Sequence, residues 1–409
     1  MPPTTTGLPR SEGLSRCSTE AKNASRSRCM IDASARMASI LPEPADVHRR
    51  AVVRCRPQRC EPTAGGVGPR GQRGRMTPRH VCHDVPDILD LLPALFGFVP
   101  HESLVVVATH GERVRFGFRL RLDLPAAPDV DAAARVVAHH LRQAEPDGLV
   151  LVTVTEGDGY VADTLCDAVA DLLDPVPVVV AARTDGRSRY WLPGGPDEGT
   201  AYVPRTSPAT AAAVLDGREI LPSRDALVAR YAPATGRRRA AAEAATEVAL
   251  DELVEARRTP GPPSLAERGR RVVDEVRRTF LRTGFVPGDA TLVRLGVWTA
   301  VPEVRDHAWW GLSRDDAAVH LRLWTAAAPL ALEPFDAHVL AVAGFLAWRS
   351  GDGAAALVAT DRALAASPVQ SLARTVHELL VAGVPPSRWD ELLATEGGRS
   401  RTDGNASSP

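Results

Sequence analysis

The sequence predicts an α/β N-terminal domain followed by an all-helical C-terminal domain. Two observations favour this fold class: apolar strands alternate with helices between residues 85 and 191, and strand patterns stop after Ser207. Because helices connect successive strands, we expect a mixed, mostly parallel sheet with flanking helices. The 409 residues and the apolar fraction of 44% are ordinary for a chain of two or three domains.

The first domain begins with a helix and a hairpin. Apolar residues recur at helical spacing over Val85–Phe96, and Gly97 stands where a C-terminal cap is expected. A dense apolar run at 103–109, followed by alternation of apolar residues with arginine from 113 to 122, predicts a hairpin with one face in water. The segments that follow are predicted as a helix at 129–143, a strand at 149–155, a helix at 160–173, a strand at 176–183, a turn at Asp185-Gly186, a short strand around Tyr190 and Trp191, and a proline- and glycine-rich loop at 194–206.

Beyond Ser207 the sequence predicts helices to about residue 393. An apolar stripe of Val272, Val276 and Phe280 opposite arginines is typical of a helix that packs on one face. The first 75 residues lack a sustained period, which predicts disorder, and an alternative is that translation begins at Met76. We expect a disordered basic tail at 1–75, the α/β domain at 76–206, a helical extension at 207–258, a linker at 259–263, a helical domain at 264–395 and a disordered tail at 396–409.

Residues 337–368 resemble a single tetratricopeptide hairpin. Gly344, Ala356, Ala363 and Pro368 occupy positions where that repeat has small residues and its closing proline. Because a solenoid needs about three repeats, we expect a helical bundle that is only partly tetratricopeptide-like. The sequence leaves open whether four tryptophans pack in the core or act as anchors for a protein partner: Trp309, Trp310, Trp324 and Trp348.

Charge is distributed unevenly along the chain. Residues 1–75 carry 14 basic and 6 acidic side chains, whereas residues 76–409 carry 35 and 44. The acidic main part argues against a dedicated nucleic-acid-binding protein, so we expect no nucleic acid. The arginines at 237–239 and 268–278 are predicted to lie on solvated faces with intrahelical pairs, such as Arg239 with Glu243.

The cysteines and the apolar segments favour a cytoplasmic location. Four of the six cysteines lie in the first 60 residues, at spacings that match neither a zinc site nor a disulfide framework. Cys166 falls in an apolar helical segment, where a buried reduced thiol is expected. The apolar segments are too short for a secretion signal or a membrane-spanning helix, so we expect no membrane.

Common catalytic and cofactor signatures are missing: no dinucleotide-binding or Walker pattern follows a predicted strand, and no G-x-S-x-G, H-E-x-x-H or paired C-x-x-C occurs. The sequence therefore names no cofactor and leaves open whether the protein is an enzyme, because many sites assemble residues from distant parts of a chain. The best local candidate for a ligand site is Glu156-Gly157-Asp158-Gly159, at the carboxyl end of a predicted strand, where open α/β sheets bind ligands. The alternative, which the residues favour, is that Asp158 caps the next helix while the glycines form the turn.

Two further groups have simpler interpretations. His101-Glu102-Ser103 places a base beside a hydroxyl, but adjacent strand residues face opposite ways, which favours a turn and strand-start role. The segment HVCHD at 80–84 is too closely spaced and too near a predicted terminus to favour a metal site. No metal is therefore predicted.

Five short segments, in order, carry a family resemblance: GFVPHESLVVVA at 97–108, RLRLDLP at 119–125, LPSRDALVARYAP at 221–233, LAWRSGDGAAALVATDRALAASP at 346–368, and AGVPP ending at Pro386. They resemble DUF4192, an actinobacterial domain-of-unknown-function family, over roughly residues 80 to 393. The resemblance implies no known substrate, cofactor or catalytic residue. Family members often have a cysteine after the aromatic strand, where this chain has Pro193 and Gly194, so a redox or metal role for that cysteine does not carry over.

The sequence favours a small-ligand or protein-binding module with a regulatory or scaffolding role, whose helical domain contacts a protein partner. The alternative is a hydrolase-type enzyme in which acidic residues at the strand ends, Glu156, Asp158 and Asp123, hold a divalent ion or act as a general base. Arg119 completes the candidate ligand-binding set. Convergence of these side chains in a pocket would favour the enzyme, whereas structural ion pairs would argue against it.

Overall fold

The computed structural model describes residues 81–157, 159–215 and 218–391, and the predicted tails at 1–75 and 396–409 lie outside them. The chain divides into two compact units, whose described parts end at Ser223 and begin at Arg224. We call them the α/β unit and the helical unit. The helix at 208–215, which follows the last strand, belongs to the α/β unit.

The α/β unit follows the predicted order of elements closely. Gly97 caps the first helix with a φ of 75°, and its N–H donates to the Pro93 carbonyl at 2.9 Å. The last strand, of two residues, lies in the segment that was predicted as a loop. The elements are α1 (Val85–Phe96), β1 (Ser103–His110), β2 (Arg115–Asp123), α2 (Val130–Gln143), β3 (Gly148–Val154), α3 (Gly159–Leu173), β4 (Val178–Thr184), β5 (Arg189–Trp191), β6 (Thr200–Ala201) and α4 (Pro208–Leu215).

The six strands form one mixed sheet in the order β2-β1-β3-β4-β5-β6. The prediction of a mostly parallel sheet is wrong, because among the six described strands β3 and β4 pair in parallel and the other four neighbouring pairs are antiparallel. Helices do connect strands of the same direction, β2 to β3 and β3 to β4, but β1 lies between β2 and β3. The alternation of helices and strands therefore predicts the crossovers and not the strand neighbours.

Helices cover both faces of this sheet. On one face α2 and α3 pack against side chains such as Leu104 and Leu151. On the other face α1 packs through Leu92 against Val105 and Val152. β1 has apolar neighbours on both faces and is buried along almost its whole length, as its dense apolar run predicts.

The described part of the helical unit consists of helices and their connections. The predicted apolar stripe is confirmed, since Val272, Val276 and Phe280 are all buried. A reciprocal capping box between Ser264 and Glu267 begins the same helix. The helices are α5 (Arg224–Tyr231), α6 (Gly236–Arg258), α7 (Leu265–Thr283), α8 (Asp289–Trp298), α9 (Pro302–Trp309), α10 (Arg314–Ala327), α11 (Asp336–Ser350), α12 (Gly353–Ala366) and α13 (Ser371–Val381).

The core of the helical unit is rich in tryptophan. Trp309, Trp324 and Trp348 are each at most 2% exposed, so they pack in the core and do not provide partner anchors. At the α11–α12 contact, a Cβ atom added to Gly344 would lie 2.7 Å from Cγ2 of Thr360, so the glycine permits close helix approach. None of the helices in the described ranges combines the length and apolarity that a membrane crossing requires.

Candidate functional site

The sheet edge at the ends of β2, β3 and β4 contains several of the candidate site residues. Ser103, at the start of β1, pairs with Asp123 on one side and with Val154 on the other. Because β3 and β4 are parallel, Val154 lies beside Thr184, and Glu156 follows two residues later. Asp123 and Glu156 thus lie along one edge, which we call the strand-end edge.

Arg121 determines the surroundings of Asp123. Its guanidinium pairs with the Asp123 carboxylate at 2.6 Å and donates to Ser103 Oγ at 2.8 Å, while only 10% of its side chain is exposed. Arg119 lies opposite Val107, four residues before Asp123 and therefore about 13 Å from the strand-end edge along an extended strand. The Asp123 carboxylate is thus held in a structural ion pair, and Arg119 does not converge with it.

The Glu156-to-Gly159 turn is also held by contacts within the protein. The Glu156 carboxylate pairs with the Arg187 guanidinium at 2.6 Å, and both side chains are well exposed. The Gly157 N–H donates to Thr155 Oγ1 at 3.0 Å. Asp158, the predicted helix cap, lies outside the described residues. These contacts account for Glu156 and Gly157 as parts of a turn.

Arg183 explains why glycine stands at 159. A Cβ atom at Gly159 would lie 2.3 Å from the ζ carbon of Arg183, so a larger residue would displace the guanidinium. That guanidinium donates to Asp163 Oδ1 at 3.1 Å and lies 4.4 Å from the centroid of the Trp191 ring. Arg183 therefore fills the space at the start of α3 that a ligand phosphate would need.

Glu102, which the sequence analysis considered only as part of a turn and strand start, bonds across the strands at this edge. Its carboxylate accepts from Thr155 Oγ1 at 2.8 Å and from the Glu156 N–H at 2.9 Å, which ties the start of β1 to the end of β3. Its φ of 40° is in the left-handed region, an uncommon conformation for a glutamate. The Ser103 hydroxyl donates to the His101 carbonyl, so the tripeptide has the predicted turn and strand-start contacts. Single polar residues give no sequence signal for such a cross-strand bond.

In the predicted Asp185-Gly186 turn, the Asp185 carboxylate accepts four hydrogen bonds. Partial burial raises the pKa of Asp185, but hydrogen bonds outweigh it and hold the pKa at about 2. The donors are the N–H groups of Arg187, Ser188 and Arg189 and the Ser188 hydroxyl, all within 2.9 Å. Asp185 is thus an ionised structural residue that closes the β4–β5 hairpin.

The candidate metal ligands near the start of the described chain have structural roles. Asp84 caps α1 by accepting from the Asp87 N–H at 2.9 Å, and the Asp87 carboxylate accepts from the His83 N–H at 2.9 Å. Burial raises the pKa of the Cys82 thiol, which disfavours the thiolate that binds metals. Across the described ranges, no three histidine, cysteine, aspartate or glutamate side chains are grouped so that they could hold a metal ion, and His80 lies outside those ranges.

A groove of about 410 Å³ lies between α6, α7 and α8, and we call it the α6–α8 groove. Its floor contains Val272 and Trp298, which are nearly fully buried. Arg268, which also lines the groove, donates to the carbonyls of Thr259 and Pro263, at 3.0 and 2.9 Å. The predicted linker at 259–263 is thereby held against α7. The groove volume falls within the range of small-molecule sites.

Charged side chains surround the floor of the α6–α8 groove. Glu252 and Arg294 form a bidentate ion pair with both contacts at 2.6 Å, and this bond is the main reason that the pKa of Glu252 is lowered. Arg271 and Glu275 stand one turn apart on the exposed side of α7, and Glu255 faces the groove from α6. The groove therefore offers positive and negative groups over an apolar floor.

A larger open depression of about 590 Å³ lies beside the α3–β4 connection. Asp171 and Asp174 contribute its charged side chains, and prolines and small apolar residues form the remainder of its wall. With like charges and no aromatic or basic side chain in its lining, it offers weaker recognition chemistry than the α6–α8 groove.

A model of a protein family, described as Domain of unknown function (DUF4192), matches residues 86–387. The match covers most of the chain and includes parts of both units. The chain belongs to the DUF4192 family. The search of curated proteins and the search of solved structures each returned no match. Membership in DUF4192 thus confirms the resemblance, and the strand-end edge and the α6–α8 groove both lie within the family domain.

Proposed function

We propose that this DUF4192 protein is a non-catalytic binding protein that holds a small ligand in the α6–α8 groove. The observation that carries the proposal is the apolar floor of Val272 and Trp298 beneath the exposed charged side chains of Arg271 and Glu275. A few charged groups over an apolar floor are the usual construction of a ligand site. A regulatory or scaffolding role follows if ligand binding changes how the helical unit meets a protein partner.

The charges that remain around the groove indicate the ligand class. Arg294 bonds Glu252, and Arg268 bonds backbone carbonyls, so neither cation is available without loss of those contacts. Arg271 provides an exposed cation, whereas Glu255 and Glu275 provide carboxylates. A small zwitterion with an apolar body, such as an amino acid or a dipeptide, matches these groups in charge and size.

The hydrolase alternative has less support. It requires free carboxylates at the strand ends, but Glu156 pairs with Arg187 and Asp123 pairs with Arg121. Side chains committed to such pairs are poorly placed to bind a divalent ion or accept a proton.

The proposal also includes a cellular location, the absence of a nucleic-acid partner and a packing type for the helical unit. We infer a cytoplasmic location because Cys82 and Cys166 are free thiols, and burial raises the pKa of Cys166 to about 12. The net acidic charge of residues 76–409 supports the absence of a nucleic-acid partner. The α11–α12 hairpin, with small residues at its contact, supports a partly tetratricopeptide-like packing and a protein partner for the helical unit.

Thermal unfolding of the full chain with millimolar free amino acids and dipeptides tests the groove. We expect at least one compound to raise Tm in a concentration-dependent manner, and Arg271→Gln or Glu275→Gln to abolish that rise. Arg278→Gln, an exposed substitution further along α7 outside the groove lining, is the matched control and should retain it. No stabilisation by any compound, or equal stabilisation of all three variants, would contradict the proposal.

A further inference from the structure

β2 forms one edge of the sheet, and in the part of the chain that the structure describes its outer side is unpaired. It spans nine residues, Arg115–Asp123, and lies first in the strand order, with β1 as its neighbour. Within the described ranges no other strand pairs with its outer side. The N–H and C=O groups of an edge strand can form a ladder with an added extended chain.

The two faces of β2 differ in character near this edge. Phe118, Leu120 and Leu122 pack against the core beneath α2 and α3 but remain only partly buried. Arg119 lies between them in sequence, so it is on the opposite face, where it is exposed. The edge therefore combines an apolar face that is incompletely covered with a face that carries positive charge.

We propose that the outer edge of β2 binds an extended peptide of a partner protein in which apolar and acidic residues alternate. The peptide backbone continues the sheet, and its apolar side chains cover Phe118, Leu120 and Leu122. On the other face its carboxylates lie beside Arg119, and cross-strand pairs of opposite charge stabilise such a register. This site lies in the α/β unit and does not depend on the α6–α8 groove.

Charge argues against two other occupants of this edge. Residues 112–123 contain four arginines, one glutamate and one aspartate, so a second copy of β2 would bring like net charges together. Residues 1–75 of the same chain carry 14 basic and 6 acidic side chains and are also repelled. An acidic partner strand is favoured by the same charges.

Fluorescence anisotropy of the full chain with a labelled, acetylated (Val-Glu)4 amide tests this proposal. We expect saturable binding that weakens with added salt, and at least about tenfold weaker binding of a (Val-Lys)4 peptide. A (Val-Glu)4 peptide N-methylated at every residue keeps its charge and loses the backbone donors of both strand edges. It should also bind about tenfold more weakly, because strand addition depends on main-chain hydrogen bonds.

A protein variant locates the site without relying on the peptide alone. Arg119→Glu should weaken (Val-Glu)4 binding about tenfold, whereas Arg135→Glu, on the exposed surface of α2, changes the net charge equally and should have little effect. Circular dichroism confirms that both variants are folded. The proposal is overturned by unchanged binding of the N-methylated peptide, by equal effects of the two variants, or by an absence of (Val-Glu)4 binding.

Discussion

The Arg277 guanidinium donates from Nε to Nε2 of His320 at 3.2 Å, where α7 meets α10. Nδ1 of His320 lies 2.8 Å from the Asp316 carbonyl, so Nδ1 carries the proton and Nε2 accepts. Burial is the main cause that lowers the pKa of His320, and the nearby Arg277 charge adds to it. The neutral imidazole is therefore part of the packed structure.

Acid should destabilise the helical unit through His320. Because the pKa of His320 is lower in the folded state than in the unfolded chain, the unfolded chain binds the proton more tightly. The free energy of unfolding should therefore decrease as pH falls through about 6.5, the unfolded value, towards the lower folded pKa. His320→Gln retains an acceptor for Arg277 but does not titrate, so urea denaturation between pH 7.5 and 5 should show a smaller decrease. Equal decreases in both proteins would show that His320 does not contribute.

Gly344 should be intolerant of even one added methyl group. The Cβ atom of Gly344→Ala would lie 2.7 Å from Cγ2 of Thr360, and we expect a loss of about 1–3 kcal/mol from overpacking. Thr360→Ser removes that methyl group and keeps the hydroxyl that donates to the Ala356 carbonyl, so it should restore part of the stability in the double variant. Gly353→Ala is the control, since its nearest contact would be an ordinary 3.8 Å. Additive effects in the Gly344–Thr360 cycle would exclude the proposed contact.

At the strand-end edge Glu102 should matter more for stability than Glu156. Glu102→Ala removes the acceptor of Thr155 Oγ1 and of the Glu156 N–H, and leaves a buried hydroxyl without that partner, at a cost of about 1–3 kcal/mol. Glu156→Ala removes an exposed ion pair with Arg187 and should cost less than about 1 kcal/mol. Chemical denaturation of the two variants measures the difference, and a reversed order would refute the structural role of Glu102.

Arg268 should protect the linker at 259–263 from proteolysis. Its guanidinium donates to the carbonyls of Ala256, Thr259 and Pro263, so Arg268→Ala frees the segment between α6 and α7. Limited trypsin digestion should then cleave faster after Arg257 or Arg258, as judged by mass spectrometry. Arg278→Ala removes an arginine from the same helix without affecting these bonds. Equal cleavage rates in the two variants would contradict the role of Arg268.

Local patterns in this sequence predicted local structure well. The helical spacing with a terminal glycine predicted Val85–Phe96 and its Gly97 cap, and the one-sided stripe predicted the buried face of α7. The i,i+4 spacing of Arg239 and Glu243 predicted an ion pair, which the structure contains at 2.9 Å. Each of these features depends on residues a few positions apart, so neighbouring side chains and backbone preferences suffice to determine it.

Tertiary structure alone decided which distant residues meet. The sequence determined that β1 is buried and that α2 and α3 follow strands, but only long-range packing placed β1 between β2 and β3 and made the sheet mostly antiparallel. It also decided that Glu102 bonds the Thr155 hydroxyl, 53 residues away, and that Glu252 and Arg294 face one groove. Strand neighbours and charge partners depend on the free energy of the whole packed chain. A periodic pattern along one segment holds no information about contacts with distant segments, so it cannot predict them.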